Sequence, residues 1–178
     1  PRVRRQRQMC IRDRGISTAV GMALAGKIDR KDYRVYSILG DGELEEGQVW
    51  EASMAAAHYK LDNLTAFVDY NGLQIDGKIT DVMNPEPVAD KFAAFGWNVI
   101  TVDGHSYSQI KDAIEKAKTV KGKPTMVVCS CTKGKGVSFM ENNYSWHGTA
   151  PNQEQRDQAI AELDALMADI EKEIAEEA

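Results

Sequence analysis

Residues 35–42, VYSILGDG, are the most informative part of the chain, because an apolar strand-like run ends there at an acid held between two glycines. A second such run, residues 64–69, ends shortly before Asn71, thirty residues after Asp41. Two neighbouring parallel strands would deliver these carboxylate and carboxamide oxygens to one sheet edge, where open α/β sheets bind ligands. With a backbone carbonyl near Leu73, they suit Mg2+, which takes few protein ligands beside phosphate oxygens and water. We therefore predict a metal-diphosphate site.

Glycines around Asp41 explain how a diphosphate would approach the chain. Gly40 and Gly42 flank the acid, and a glycine admits a ligand where a Cβ would stand in the way. A helix predicted over residues 45–59 follows, and a helix start offers unpaired backbone N–H groups to an anion. Asp-Gly is also among the commonest turn dipeptides, so the pair by itself carries little functional information.

Along the rest of the chain, segments with the hydrophobic period of a helix alternate with segments that have the pattern of a strand. Helices are predicted over residues 16–28, 45–59, 87–95 and 106–119, and strands over 34–39, 64–69, 97–102 and 125–131. This order predicts an α/β fold in which helices flank both faces of a parallel sheet. The apolar runs 35–39 and 126–129 are typical of buried parallel strands. Two long loops, 71–87 and 132–151, are expected to have a task or to be mobile.

Composition places the chain among ordinary globular proteins. Its 178 residues are 43% hydrophobic, and no apolar run approaches the length of a membrane span. We expect a soluble, cytoplasmic protein that does not bind membranes. The three cysteines form neither a disulfide framework nor a Cys-x-x-Cys pair, so buried or half-buried free thiols are expected.

Several segments resemble transketolases, in the order in which they occur there. The run GDGELEEG at 40–47, followed by Asp69-Tyr70-Asn71, resembles the thiamine diphosphate motif of that family. The likeness extends to GISTAVGMALA at 15–25, VDGH at 102–105, TKGKGV at 132–137 and SWHG at 145–148. It spans roughly residues 15–151 and implies the diphosphate-binding domain of the thiamine diphosphate-binding fold, truncated at its N-terminus.

The resemblance implies a role for each matching residue. Asp41, Asn71 and the carbonyl of Leu73 would hold Mg2+, for which Ca2+ or Mn2+ are conceivable substitutes, while Gly40 and Gly42 would shape the diphosphate pocket. Lys133 and His147 would line the cofactor and sugar side. His147 is also a candidate catalytic group, because imidazole titrates near neutral pH.

A glutamate at the subunit interface is a further implication. Glu46 matches a family residue that communicates with the partner's catalytic glutamate, although Glu43 and Glu45 are close alternatives. For Glu43 and Glu45 a solvated surface position is the simpler interpretation.

The likeness also implies what the chain lacks. The activating glutamate and the aminopyrimidine pocket belong to a second domain in transketolases. The chain is thus expected to be the N-terminal subunit of a split transketolase, or a fragment of a longer one, that needs a pyrimidine-binding partner in an oligomer with a dimeric core. With it, the chain would transfer two-carbon ketol units between sugar phosphates, as in the pentose phosphate pathway. As an isolated chain it is expected to be inactive.

Two alternatives stay open. One is a subunit of another thiamine diphosphate enzyme, of the 1-deoxyxylulose-5-phosphate synthase or 2-oxo acid dehydrogenase type. The other is a non-catalytic module that binds magnesium diphosphates.

The two ends of the chain differ in charge. Residues 1–14 carry six arginines and one aspartate, which leaves about −10 for the remainder of a chain whose net charge is −5. A basic arm suggests nucleic-acid binding. The transketolase-like sequence, however, begins abruptly at Gly15, directly after the arm, and the arm resembles translated sequencing-adapter sequence. We therefore predict an artefactual arm over 1–14, one domain over 15–178, and no nucleic-acid partner.

The C-terminal stretch predicts an amphipathic helix. Apolar residues alternate at spacings of three and four and form one stripe: Ile160, Leu163, Met167, Ile170 and Ile174. The stripe packs either against its own domain or against a second polypeptide, and the sequence does not choose between them.

Overall fold

A computed structural model describes residues 14–177 of the chain. These residues contain six helices and six strands. In chain order they are α1 Gly15–Ile28, β1 Val35–Gly40, α2 Gly47–His58, β2 Leu64–Tyr70, β3 Leu73–Gln74, β4 Gly77–Lys78, α3 Ile79–Val82, α4 Val88–Ala94, β5 Asn98–Asp103, α5 Tyr107–Thr119, β6 Thr125–Ser130 and α6 Gln153–Glu177. Short 3-10 turns cover Gly42–Glu45 and Tyr144–Trp146.

Four strands form a parallel sheet in the order β1-β2-β6-β5. The strand β1 pairs with β2, although a whole helix lies between them in the chain, and β6 lies between β2 and β5. Parallel neighbours need such helical crossovers, since a tight turn can join only antiparallel strands. The α/β class with a parallel sheet flanked by helices is therefore confirmed.

Alternate residues of the strands build two separate cores. Val35, Leu39, Leu64, Val68 and Met126 belong to the larger core, which also contains buried residues of α1, α2 and α4. The strand residues between them, such as Val127, point to the other face of the sheet and form the smaller core with Ala113 of α5. Because side chains alternate between the two faces of a sheet, one face packs against α1, α2 and α4 and the other packs against α5.

Three sequence predictions about local structure need correction. The helix predicted over 45–59 begins only at Gly47, because Asp41 caps a separate 3-10 turn over Gly42–Glu45. The predicted loop 71–87 contains the antiparallel pair β3–β4 and the helix α3. Burial of both faces of β1 was also wrong: Tyr36 and Ile38 are exposed, because the smaller core on their face of the sheet contains no residue of β1. The buried character of β6 is confirmed.

The described residues fall into two compact units. The first contains the described residues up to Gly72 together with Ile79–Cys131, and thus the parallel sheet and helices α1 to α5. The second contains Leu73–Lys78 and the chain from Thr132 onward, with the hairpin β3–β4, the loop 132–152 and helix α6. The arginine-rich arm predicted over 1–14 lies, except for Arg14, outside the described residues.

Candidate functional site

The register of the sheet brings the ends of β1 and β2 together. Gly40 is paired with Asp69, and the backbone amide of Asp41 donates a hydrogen bond of 3.2 Å to the carbonyl of Asp69. Asp41 and Asn71 therefore leave adjacent strands at the same, carboxyl edge of the sheet. This is the arrangement that the spacing of the two motifs predicted.

Asp41 is a buried carboxylate held by backbone amides. It is only 1% exposed. Its Oδ1 accepts a hydrogen bond of 2.8 Å from the amide of Gly42, and its Oδ2 accepts one from the amide of Gly72. Burial raises the pKa of Asp41 above its ordinary value, although the amides of Gly72, Gly42 and Asn71 oppose that shift. A buried carboxylate whose negative charge is incompletely offset is a favourable place for a cation.

The glycines beside Asp41 leave open space. A Cβ placed on Gly40 or on Gly72 would meet no atom within 4 Å. Gly72 has a φ of 76°, in the left-handed region, and this conformation allows its amide to point back at Asp41. The residues at this edge thus fit a bound metal-diphosphate group: a carboxylate for the cation and an unobstructed backbone for the phosphates.

The acids after Asp41 have unlike environments. Glu43 folds back so that its carboxylate accepts a hydrogen bond of 3.2 Å from the amide of Gly40, and it is half-buried, as is Glu45. Neither acid therefore has the fully solvated position expected for it. Glu46 is exposed and directly precedes α2. Its role at a subunit interface stays a prediction.

The donor set excludes a metal site built from charged side chains alone. Within residues 14–177, no group of three or more His, Cys, Asp and Glu side chains is placed to hold a metal ion. A cation at Asp41 would need carboxamide, carbonyl or phosphate oxygens to complete its shell, which is the chemistry Mg2+ favours. Asn71 follows β2 in the first unit, whereas Leu73 opens β3 in the second.

The second unit brings Lys133 and His147 together across the loop 132–152. Lys133 Nζ lies 3.4 Å from His147 Nδ1. A tight turn supports this approach: Gly134 has a φ of 71°, and a Cβ there would lie 2.6 Å from the carbonyl oxygen of Met140. Since an ammonium group only donates hydrogen bonds, Nδ1 acts as the acceptor and the imidazole proton is placed on Nε2. Sequence reasoning singled out both residues but not their pairing.

Two other hydrogen-bonded pairs of side chains, near the ends of strands and helices, could not be predicted from the sequence. The hydroxyl of Tyr70, the residue before Asn71, donates a short hydrogen bond to Glu86, and this bond, with burial, raises the pKa of Tyr70 to about 12. Ser17 in the first turn of α1 donates another to Gln48 in the first turn of α2. Both tether a polar residue close to the carboxyl edge, and both depend on partners distant in the chain.

The remaining histidines and the cysteines stay outside this chemistry. His58 and His105 are exposed. Cys129 is buried, Cys131 is half-buried, and both are free thiols, which confirms the prediction for these two. Cys10 lies in the part of the chain that the structure does not describe.

Open α/β proteins bind their ligands at the carboxyl edge of a parallel sheet, and in this chain a buried acid between glycines lies at that edge. Comparison with known proteins is more specific. The family model "Transketolase, thiamine diphosphate binding domain" matches residues 12–167. The chain therefore belongs to the transketolase family and contains its thiamine diphosphate-binding domain.

Relatives and solved structures agree with this assignment. A 6-deoxy-6-sulfo-D-fructose transketolase subunit from Clostridium sp. is 47% identical over 150 residues, which cover 84% of this chain and 54% of the relative. An apulose-4-phosphate transketolase subunit from Phocaeicola vulgatus is 42% identical over 159 residues, covering 89% and 57%. Both relatives are thus matched over little more than half of their length.

A solved transketolase structure is matched over only a quarter of its own length. Transketolase from Campylobacter jejuni superimposes with a TM-score of 0.79 at 33% identity, over 85% of this chain and 25% of that one. Separately, none of the helices within residues 14–177 is both long and apolar enough to cross a bilayer.

Proposed function

We propose that this chain is the diphosphate-binding part of a transketolase that moves two-carbon ketol units between sugar phosphates. In this proposal it works with thiamine diphosphate, Mg2+ and a second polypeptide that carries the pyrimidine-binding domain. The observation that carries the proposal is the buried carboxylate of Asp41, held by the amides of Gly42 and Gly72 at the carboxyl edge of the sheet.

The first unit supplies most of the proposed binding groups for metal and diphosphate. Asp41 and the carboxamide of Asn71 provide two oxygen ligands for Mg2+, with the carbonyl of Leu73 as a third; Ca2+ or Mn2+ are substitutes that the same oxygens accept. Gly40 and Gly42 let the diphosphate lie against the backbone. A cation offsets the burial that raises the pKa of Asp41, so binding converts an unfavourable buried charge into a favourable pair.

Lys133 and His147 are proposed to contact the cofactor and the sugar. When bound, thiamine diphosphate supplies the electron sink that allows the carbon–carbon bond beside a ketose carbonyl to break and re-form. His147 holds its proton on Nε2, because Nδ1 faces the ammonium group of Lys133. From Nε2 it donates a hydrogen bond to a sugar oxygen, which orients the substrate and moves a proton at that atom.

The proposed partner supplies the pyrimidine-binding domain and the catalytic glutamate. Glu46, exposed just before α2, is proposed to meet the partner's catalytic glutamate at the interface of a dimeric core. Support comes from the names of two relatives, each described as one subunit of a transketolase. A cytoplasmic location of the complex stays a prediction.

The substrate is proposed to be an anionic sugar. Similar proteins are named for 6-deoxy-6-sulfo-D-fructose and for apulose 4-phosphate, so both sulfonated and phosphorylated ketoses belong in a donor panel. Turnover of xylulose 5-phosphate or fructose 6-phosphate would place this chain with sugar-phosphate transketolases. Turnover of the sulfonated ketose alone would instead assign it a sulfosugar.

The experiment is calorimetric titration of thiamine diphosphate into the complex of this chain with its partner, with and without MgCl2. Asp41→Ala should abolish the Mg2+-dependent binding. The matched control is Asp112→Ala, since Asp112 is an exposed acid on α5. Unchanged binding in Asp41→Ala would remove the assignment of Asp41.

Assays of product separate the proposal from its alternatives. Release of carbon dioxide from pyruvate would indicate part of a synthase or of a 2-oxo acid dehydrogenase. If the complex binds cofactor and magnesium yet forms no product from any ketose, the non-catalytic module is favoured.

A further inference from the structure

The apolar stripe of α6 lies on the surface. Leu166, Met167, Ile170 and Ile174 are between 46% and 63% exposed, and Ile160 and Leu163 are 41% and 44% exposed. At about 100° per residue, all six fall within one third of the helix circumference. A continuous stripe of large apolar side chains, unlike scattered ones, marks an interaction surface.

The N-terminal half of α6 is attached to its own unit beside the stripe. Both the amide and the hydroxyl of Ser138 donate hydrogen bonds of 2.7 Å to the carboxylate of Glu162. Leu163 also lies against the loop, because a Cβ on Gly136 would be 3.1 Å from its Cδ2. These contacts fix the helix at residues 162 and 163 and leave the stripe from Leu166 to Ile174 exposed.

The charges along the stripe determine which partner fits. Between residues 153 and 175 the chain has seven acids and two basic residues. In a heptad with Ile160 and Leu163 at the core positions, Asp157, Asp164 and Glu171 all fall on one flank, and Glu173 falls on the other. Arg156 pairs with Asp157, and Lys172 pairs with Asp169 on the far side. Asp164, Glu171 and Glu173 thus border the stripe with negative charge.

A second copy of this helix fits the surface poorly. An antiparallel pair would set the flank of Asp164 and Glu171 against the same acids of the other copy, and a parallel pair would offer no basic residue to either flank. Like charges at these positions oppose association, whereas Lys or Arg would favour it. The acids therefore select a partner of opposite charge.

We propose that the exposed stripe of α6 docks an amphipathic helix whose apolar face is bordered by Lys or Arg, and that this helix belongs to the second polypeptide of the enzyme. The identity of the partner rests on the proposed function. The contact is a helix laid along a helix, about 20 Å long from Ile160 to Ile174 at 1.5 Å per residue. Apolar contacts supply affinity, and the acidic flank selects the partner.

The test measures the dissociation constant of the complex for variants of α6. Ile170→Lys should weaken association with the second polypeptide at least tenfold. Ala165→Lys is the matched control, because it adds the same charge on the opposite, exposed side of α6 and should change the constant less than twofold. The double variant Asp164→Lys with Glu171→Lys should also weaken association and reduce its dependence on NaCl.

Three results would overturn the proposal. The first is association that Ile170→Lys leaves unchanged, or no association of the wild-type chain at all. The second is self-association of the chain alone that Ile170→Lys abolishes, which would make a second copy the occupant. The third is a large fall in the thermal unfolding temperature of the chain alone in Ile170→Lys, which would mean that the stripe packs within the chain.

Failure of the enzymatic proposal gives a different result. A complex that Ile170→Lys dissociates, but that turns over no ketose, would retain the docking surface and discard the activity.

Discussion

The carboxylate of Asp41 accepts a hydrogen bond from the amide of Gly72, a residue 31 positions later in the chain. This bond joins the turn after β1 to the turn after β2. The geometry around the acid is therefore set by backbone atoms of two strands rather than by flexible side chains. It also leaves the acid buried, and the cost of that burial is measurable.

The pH dependence of stability should report the buried charge of Asp41. Burial raises its pKa, so the folded state retains a proton that the unfolded chain has released at the same pH. The contribution of Asp41 to the free energy of unfolding is therefore fully present below the ordinary pKa of 3.8. It is lost as pH rises through the raised pKa of the folded state. Relative to Asp41→Asn, which cannot titrate, the wild-type free energy of unfolding should decrease from pH 4 toward neutrality.

Urea unfolding at several pH values measures this difference. A constant difference, or one that grows in favour of the wild type as pH rises, would contradict the raised pKa. Adding MgCl2 and thiamine diphosphate at neutral pH should stabilise the wild type and leave Asp41→Asn almost unchanged.

Substitution of Gly40 should separate binding from folding. A Cβ at this position meets nothing within 4 Å, and the residue does not have a positive φ, so Gly40→Ala should change stability by less than about 1 kcal/mol. The same methyl group occupies the space proposed for the diphosphate, so thiamine diphosphate should bind at least tenfold more weakly.

Calorimetry checks the predicted loss of binding, and thermal unfolding of the same samples checks that stability is nearly unchanged. Gly21→Ala in the exposed middle of α1 is the control, because it also adds a methyl group in open space and should not alter binding. Unimpaired cofactor binding in Gly40→Ala would argue against a diphosphate at this backbone.

Lys133 and His147 should act as one unit. Because the ammonium group faces Nδ1, removing either partner disturbs the orientation of the other. Lys133→Met and His147→Asn should each lower kcat/KM for the ketose by about tenfold or more, and the double variant should be little worse than either. Fully additive losses in this double-mutant cycle would mean that the two residues act independently.

The thiol of Cys131 should react slowly. Burial, together with a hydrogen bond to Asp69, raises its pKa to about 12. At pH 8 only about one thiol in ten thousand would then be ionised, and the thiolate is the reactive form. Peptide mass spectrometry after iodoacetamide treatment should find Cys131 protected in the folded chain and modified in urea. Asp69→Asn should speed its modification, and equal rates in folded and unfolded chains would contradict the raised pKa.

The order of the helices and strands of the parallel sheet, and the two motifs, were predictable from local sequence pattern. Hydrophobic period distinguishes α5 from β6 because it depends only on neighbours in the chain. Asp41 and Asn71 were predictable for the same reason: each follows an apolar run whose end must lie at the carboxyl edge of a parallel sheet. The amphipathic character of α6 also follows from its spacing alone.

Features that depend on residues distant in the chain were visible only in the folded protein. One face of β1 is exposed because the smaller core does not extend to it, and the bond from Gly72 to Asp41 follows from the pairing of β1 with β2. Lys133 and His147 meet only because the loop between them turns at Gly134. Such contacts depend on how separate segments pack, and a local pattern of residue types carries no information about that.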